Sequence, residues 1–319
     1  MILLISDFSD NSIEVIINYL IIAKSEYYLI RTQVDNVEII EIDLKEFVLE
    51  INGQDIIESR KITWVYFRRD YLELKNNLMI NDIFDANNII KFLNTENKYC
   101  EQYINLILYK FKKIIGNPFM INVNKLEILL KAKEIGLKIP PFLITTNKTS
   151  LFEFIKVHQK IISKPINTQM FFYRDNEIGG IYTTELEEEI LKDLPDIFYP
   201  SFFQKQIIKK FDIRTFIIQD KCYSMAILSQ NNNKTIIDFR NYDRTRPNRR
   251  IPYKLPEIIE SQLVKLHKSI KLNCSSVDVL LSTDNEYFFL EINPVGQFGM
   301  VSFPCNYYLE KIIANELSQ

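Results

Sequence analysis

Glycine is scarce in this sequence. Its 319 residues include 7 glycines, where average usage of about 7% would give roughly 22. No GxxxxGK(S/T) phosphate loop and no GxGxxG turn is present, which speaks against nucleotide chemistry through a P-loop or a Rossmann turn. Any phosphate held by this chain must be held by side chains and a few backbone groups. The same count excludes collagen-like, linker-rich and low-complexity classes.

Histidine is scarcer still. The 2 histidines, His158 and His267, are too few for a His-based metal site or a Ser-His-Asp triad alongside other uses. The four cysteines, Cys100, Cys222, Cys274 and Cys305, lie far apart with no CxxC. They read as reduced thiols of a cytoplasmic protein rather than disulfides or a zinc site. No apolar run approaches the ~18 residues of a membrane span. The N-terminal MILLISDFSD turns polar early and reads as a first strand, not a signal peptide. Charge of one sign is also missing: 39 basic and 41 acidic residues leave a net charge of −2, so neither nucleic acid nor membrane is an expected partner.

What is present is an α/β beginning followed by α+β. Ile2 to Ile5 reads as a buried strand, Ser12 to Lys24 as a helix, and Tyr27–Arg31, Val37–Asp43 and Thr63–Phe67 as strands. A helical region from Asp82 to Lys113 ends at the breaker Gly116-Asn117-Pro118. A helix then runs from the N-cap Asn124 to a stop at Gly136. A strand at Phe142–Thr145, a helix at Ser150–Gln159 and a strand at Ile161–Lys164 follow. Met170–Arg174 and Ile181–Thr184 flank a hairpin-like turn at Glu177–Gly180, and Glu185–Asp193 looks helical. The last third is strand-rich: Phe202–Ile207, Phe211–Ile218, Cys222–Ser229 and Thr235–Phe239, then a basic loop from Asp243 to Tyr253. A helix at Glu257–Leu272, strands at Val277–Ser282 and Tyr287–Ile292, and a helix at Tyr307–Leu317 close an antiparallel α+β region.

The strongest chemical signal is Phe288-Phe289-Leu290-Glu291-Ile292-Asn293-Pro294. Residues i and i+2 of a strand share a face, so Glu291 and Asn293 point one way and Leu290 and Ile292 point into the core. A carboxylate beside an amide oxygen suits Mg²⁺, a hard ion that takes oxygen ligands and substrate phosphates. If the preceding strand pairs with this one as a hairpin, Asp278 reaches the same ion. The bland alternative is an acidic pair on a polar sheet face.

The second signal is cationic. Lys164 sits among apolar strand residues, and a lysine is rarely buried without an anion. Lys125 opens a helix and serves similarly, or is simply solvated. Arg214 and Arg240 suit phosphate or carboxylate oxygens, or make ion pairs with Asp212 or Asp238. Arg244, Arg246, Arg249 and Arg250 crowd one loop, without the aromatic interleaving of a nucleic-acid binder. They fit a grip on phosphate or on an acidic peptide, as do Arg68 and Arg69 at the end of the Trp64–Phe67 strand.

Taken in order, Lys125, Lys164-Pro165, Gln204–Ile207, Asp212-Ile213-Arg214, Asp278 and Glu291-Ile292-Asn293-Pro294 resemble the ATP-grasp superfamily over Gly116 to Gln319. The first part looks like the pre-ATP-grasp domain. Asn124-Lys125, Trp64 to Arg69, Pro200 to Gln204, Ser224 to Ile227 and Pro294 to Phe298 resemble the peptide-maturase branch, which makes graspetides (microviridin-type peptides). Asp238-Phe239-Arg240 and Pro247-Asn248-Arg249 resemble in particular the maturases of grasp-with-spasm systems.

That resemblance implies three parts: a pre-ATP-grasp domain over 1–115, a central subdomain over 116–195 and a C-terminal subdomain with the Mg²⁺ site over 196–319. It implies that ATP and Mg²⁺ are used. Lys125 and Lys164 would contact the phosphates. Gln204, Lys205 and Ile207 would form the adenine hinge, with Asp212 near the ribose or in support. Arg214 and Arg240 would meet the γ-phosphate and an acyl phosphate, and Asp278, Glu291 and Asn293 would hold Mg²⁺. Arg68, Arg69, Arg246 and Arg249 would face a precursor peptide with leader and core, and the enzyme would be a homodimer. The implied activity is ATP-dependent macrocyclisation of that peptide. Ligation of small amino acids or protein termini, or peptide binding without catalysis on the same fold, are the alternatives. The lid is a departure: Ile166–Gly180 has glycine only at its end.

Overall fold

We describe the chain from a computed structural model covering residues 1–75, 86–166, 171–174, 177–180, 183–232, 235–241 and 245–319, with backbone alone for 171–174 and 177–180. The chain splits into two compact units. The first comprises Met1–Asn122, Lys271–Ser275 and Pro294–Gln319, and the second Val123–Ile270 and Ser276–Asn293.

In the first unit, β1 (Ile2–Asp7), α1 (Ser12–Ile22) and β2 (Tyr27–Thr32) fulfil the strand–helix–strand expectation. An antiparallel sheet follows, built from β3 (Val37–Ile42), β4 (Phe47–Ile51) and β5 (Asp55–Glu58). Then come β6 (Trp64–Phe67), α2 (Ala86–Phe111) and β7 (Lys113–Ile115). The sheet order β2-β1-β6-β7 is parallel throughout. Leu3, Leu4 and Ile5 are fully buried, as the continuous apolar run of a parallel strand requires. The start of the expected Asp82–Lys113 helix lies outside the described residues. Gly116 ends β7 at φ +87°, and a Cβ there would lie 2.3 Å from the Phe67 carbonyl oxygen. Only glycine fits that close approach.

The second unit opens with α3 (Lys125–Ile135). Its Asn124 cap accepts a hydrogen bond from the Leu126 amide, and Gly136 closes it in the left-handed region, as the sequence predicts. Next are β8 (Phe142–Asn147), α4 (Lys148–His158), β9 (Ile161–Lys164), β10 (Phe171–Arg174), β11 (Glu177–Gly180), β12 (Thr184–Glu185), α5 (Glu188–Asp193) and β13 (Ile197–Lys205). β14 (Lys209–Ile218), β15 (Lys221–Leu228), β16 (Arg249–Tyr253), α6 (Glu257–Ser269), β17 (Cys274–Ser282) and β18 (Tyr287–Asn293) follow. They form one sheet ordered β12-β9-β13-β8 and another ordered β16-β15-β14-β17-β18, with β10 and β11 as a separate ribbon. The chain then re-enters the first unit as α7 (Gly299–Cys305) and α8 (Leu309–Leu317), where α8 packs on α1.

Several expectations fail for local reasons. Glu177–Gly180 is a strand paired with Phe171–Arg174 rather than the turn itself, and the expected strand at Ile181–Thr184 begins outside the described residues. Thr235–Phe239 is not a strand. Its polar groups bond locally instead: the Thr235 hydroxyl donates to the Ser229 carbonyl, and Asp238 caps the Arg240 amide, side-chain contacts that compete with a ladder. The end of the expected basic loop is the strand β16, an edge position that tolerates Pro252.

Candidate active site

β14 is interior to its sheet, and its residues from Asp212 to Ile218 are all buried. Asp212 and Arg214, two residues apart, therefore share one face. β17 and β18 pair as the expected hairpin, turning where Asn285 takes φ +63°. Their register sets Asp278 opposite Glu291 and Ser276 opposite Asn293. The register jumps between Asp278↔Glu291 and Val279↔Phe289, so Leu290 is an extra residue. Such a bulge resets the in–out alternation. Leu290 does not point into the core as its spacing suggested: Phe289 and Ile292 are the buried residues, and Leu290 lines the cleft with Glu291.

That cleft, about 700 Å³ and open to solvent, lies within the second unit. Lys164, Gln204, Lys205, Ile207, Asp212, Arg240, Asp278 and Glu291 all line it. Lys125 reaches the same place, its Nζ 2.9 Å from Glu291 Oε2. Arg214 donates from Nη1 to both oxygens of Asp278 at 2.8 and 2.7 Å. Arg240 donates from Nε and Nη2 to Asp238 at 2.9 and 2.8 Å, and its Nη1 lies 3.5 Å from Glu291 Oε1. The ion pair weighed for Arg240 with Asp238 is therefore present. The one weighed for Arg214 with Asp212 is not, since Arg214 takes Asp278 instead.

The charges are unequally settled. Burial pushes the Asp278 carboxyl up more than Arg214 pulls it down. Burial also works against Glu291, but Lys125, Arg240 and Lys164 together outweigh it and hold that carboxyl below its usual range. Burial lowers the Lys164 ammonium, only partly countered by Glu291. The Lys164 ammonium makes no hydrogen bond among the described residues, and it lies 5.4 Å over the Phe202 ring.

Two observations test whether a nucleotide with its metal fits here. Gln204 is 1% exposed, and neither its Nε2 nor Arg214 Nε has a hydrogen-bond partner among the described residues. Buried donors of this kind ask for an acceptor. Asp278 and Glu291, opposite each other on β17 and β18, match Mg²⁺, which takes one or two carboxylates plus substrate phosphates, while Asn293 is not among the residues lining the cleft. The residues fit both groups.

Sequence reasoning missed Lys209 and the buried position of Asp238. Lys209, 8% exposed, makes a close ion pair with Asp212. Their i, i+3 spacing on a strand carries no signal for a pair, since such residues nominally face opposite sides. Of the four arginines expected to face a peptide, Arg68 requires correction. It is 2% exposed and occupied by Asp10, Ser12 and the Val295 carbonyl, all within the first unit. Arg69 is part-buried against Asp7. Arg246 and Arg249 are exposed. Arg244 and much of the Ile166–Gly180 lid lie outside the described residues.

No protein-family model matches the sequence, and neither does any curated protein. Solved structures do match. One is the RiPP-associated ATP-grasp ligase of Chryseobacterium gregarium in complex with ADP and a leader and core peptide. It is 25% identical with a TM-score of 0.78, covering 99% of this chain and 96% of that one. Macrocyclase MdnC of Microcystis aeruginosa MRC, bound with precursor peptide MdnA, is 24% identical with a TM-score of 0.76, covering 99% of each chain. ATP-grasp ligase PsnB, complexed with a phosphomimetic variant of its minimal precursor, Mg and ADP, is 18% identical with a TM-score of 0.72. That match covers 99% of this chain and 97% of PsnB.

Proposed function

We propose that this chain, which belongs to the ATP-grasp superfamily and is an ATP-dependent ligase, cross-links a ribosomally made precursor peptide. A side-chain carboxylate of the peptide attacks the γ-phosphorus of ATP, the bond to ADP breaks, and an acyl phosphate forms. A Ser or Thr hydroxyl or a Lys amine of the same peptide then attacks the activated carbonyl. Phosphate leaves, the nucleophile gives up its proton, and an ω-ester or ω-amide ring closes. Each ring consumes one ATP and removes one water from the peptide.

The observation that carries this reading is the gathering of Lys125, Lys164, Arg214 and Arg240 around Asp278 and Glu291. Phosphoryl transfer requires little covalent help from a protein and depends on position and charge. Lys125 and Lys164 bind the phosphates. Arg214 and Arg240 meet the transferred phosphoryl group and the acyl phosphate. Gln204, Lys205 and Ile207 hold the adenine, and Asp212 supports the ribose side. Asp278, Glu291 and Asn293 would hold Mg²⁺, which would supply charge neutralisation at the phosphoryl oxygens. We assign 1–115 as the pre-ATP-grasp domain, and 116–195 and 196–319 as the two ATP-grasp subdomains. The enzyme is read as cytoplasmic, where ribosomal peptide and ATP meet, and as a homodimer on the resemblance alone.

The neighbours described with precursor peptides support the peptide reading over small-molecule ligation. The test is mass spectrometry of the cognate precursor after incubation with enzyme, ATP and Mg²⁺. Loss of one water per ring is expected. An unchanged precursor mass, with ADP released in the presence of free amino acids, overturns it.

A further inference from the structure

Lys209 is a buried cation of the cleft to which the chemistry above gives no task. Its Nζ donates to Asp212 Oδ1 and Oδ2 at 2.8 Å each and to the Ile237 carbonyl oxygen at 3.0 Å. A lysine ammonium has three protons, so the three bonds leave none for a nucleotide. Asp212 accepts a further bond from Ser229 Oγ at 2.8 Å. Ser229 follows β15, and Ile237 lies eight positions later, so two points along one segment are tied to the same buried pair. The segment is also closed on itself, with the Thr235 hydroxyl donating to the Ser229 carbonyl at 2.9 Å.

The residue after Ile237 is Asp238. Its carboxylate accepts from the Arg240 backbone amide at 3.0 Å and from the Arg240 side chain. Arg240 Nη1 in turn lies 3.5 Å from Glu291. A continuous path therefore runs from Lys209 through the Ile237 carbonyl, Asp238 and Arg240 to a carboxylate of the candidate Mg²⁺ site. We infer that Lys209 is a positioning residue: it fixes the segment that carries Arg240 and sets the direction of that guanidinium without touching substrate. The inference rests on the reading of Arg240 given above.

The test is a double-mutant cycle between Lys209 and Arg240, which do not touch. Lys209→Met is expected to lower kcat about tenfold or more, as a misaimed catalytic group does, and to raise KM for ATP as well, because it strands Asp212 on the ribose side. Arg240→Ala should cost much less in the Lys209→Met background than alone, because the guanidinium is already misplaced. Additive penalties, the behaviour of independent sites, overturn the inference. Should Lys209→Met not fold with Asp212 left unpaired, Ser229→Ala loosens the same tie without stranding a charge. It is expected to lower kcat a few-fold and to reduce the further cost of Arg240→Ala, and wild-type kinetics for Ser229→Ala overturn the inference. Wild-type enzyme that leaves the precursor unchanged removes the functional reading and this inference with it. Active wild type with additive Lys209 and Arg240 variants removes the inference alone.

Discussion

Asp278 and Glu291 stand opposite each other on β17 and β18, yet their carboxyls shift in opposite directions. Glu291 lies below its usual 4.5 because Lys125, Arg240 and Lys164 outweigh its burial. The unfolded chain therefore takes up that proton first as pH falls. Its contribution to stability is present above 4.5 and is lost as pH drops through the lowered folded value. For Asp278, raised above 3.8 mainly by burial, the ionised form is the costly one, and stability is lost as pH rises through its folded value. Glu291→Gln is thus expected to destabilise at neutral pH by roughly 1.5–3 kcal/mol, the range for hydrogen bonds to charged groups. Asp278→Asn leaves the buried Arg214 guanidinium without its carboxylate and is expected to cost about 3–5 kcal/mol. The deficit of Glu291→Gln should shrink in thermal melts as pH falls through 4.5 and below, since the unfolded chain protonates there first and the folded carboxyl only afterwards. A deficit that does not change with pH overturns the assignment.

Lys164 carries the next prediction. Burial lowers its ammonium below the ordinary 10.5, and a bound phosphate would restore it. ADP affinity measured by calorimetry should therefore fall with rising pH before 10.5 is reached. Lys164→Met should bind ADP at least about tenfold more weakly, or about 1.4 kcal/mol, with no alkaline fall of its own. An alkaline fall retained in Lys164→Met would assign the titration to another group.

Much of this site was legible in the sequence because its residues lie on strands with period-2 spacing. Pairing β17 with β18 needed only two apolar runs and a short turn, and it brought Asp278 to Glu291. The bulge at Leu290 was not legible, because one extra residue leaves no mark in composition. The hairpin of β4 and β5 was legible and was missed. Asn52-Gly53 lies between Ile51 and Asp55 with φ +55° and +69°, the turn that Asn-Gly favours. Lys209 was hidden for a different reason: its partner Ile237 lies 28 residues away, and a backbone carbonyl has no sequence signal.

Gly116 tests the first unit. Its φ of +87° and the 2.3 Å approach of a built Cβ to the Phe67 carbonyl oxygen act in the same direction. Gly116→Ala must move β6 or the turn and is expected to destabilise by roughly 1–3 kcal/mol. A chemical denaturation midpoint equal to wild type would show that the backbone relaxes without cost.

Arg68 separates a structural arginine from a peptide-binding one. Its Nε lies 3.2 Å from Asp10, its Nη1 donates to the Val295 carbonyl at 2.7 Å, and its guanidinium lies 4.7 Å from the Phe298 ring centroid. Both members of the Asp10 pair are 2% exposed. Removing one partner of such a pair strands the other charge and typically costs about 3–5 kcal/mol. Arg68→Met should therefore unfold at markedly lower denaturant. Asp10→Asn in the same chain should recover part of the loss, because no lone carboxylate then remains. Arg69→Ala, at a more exposed pair, should cost less than about 1 kcal/mol. The separating measurement is peptide affinity in the folded fraction of Arg68→Met at low temperature, which is expected to equal wild type. A stable Arg68→Met that binds precursor weakly would return Arg68 to the peptide surface.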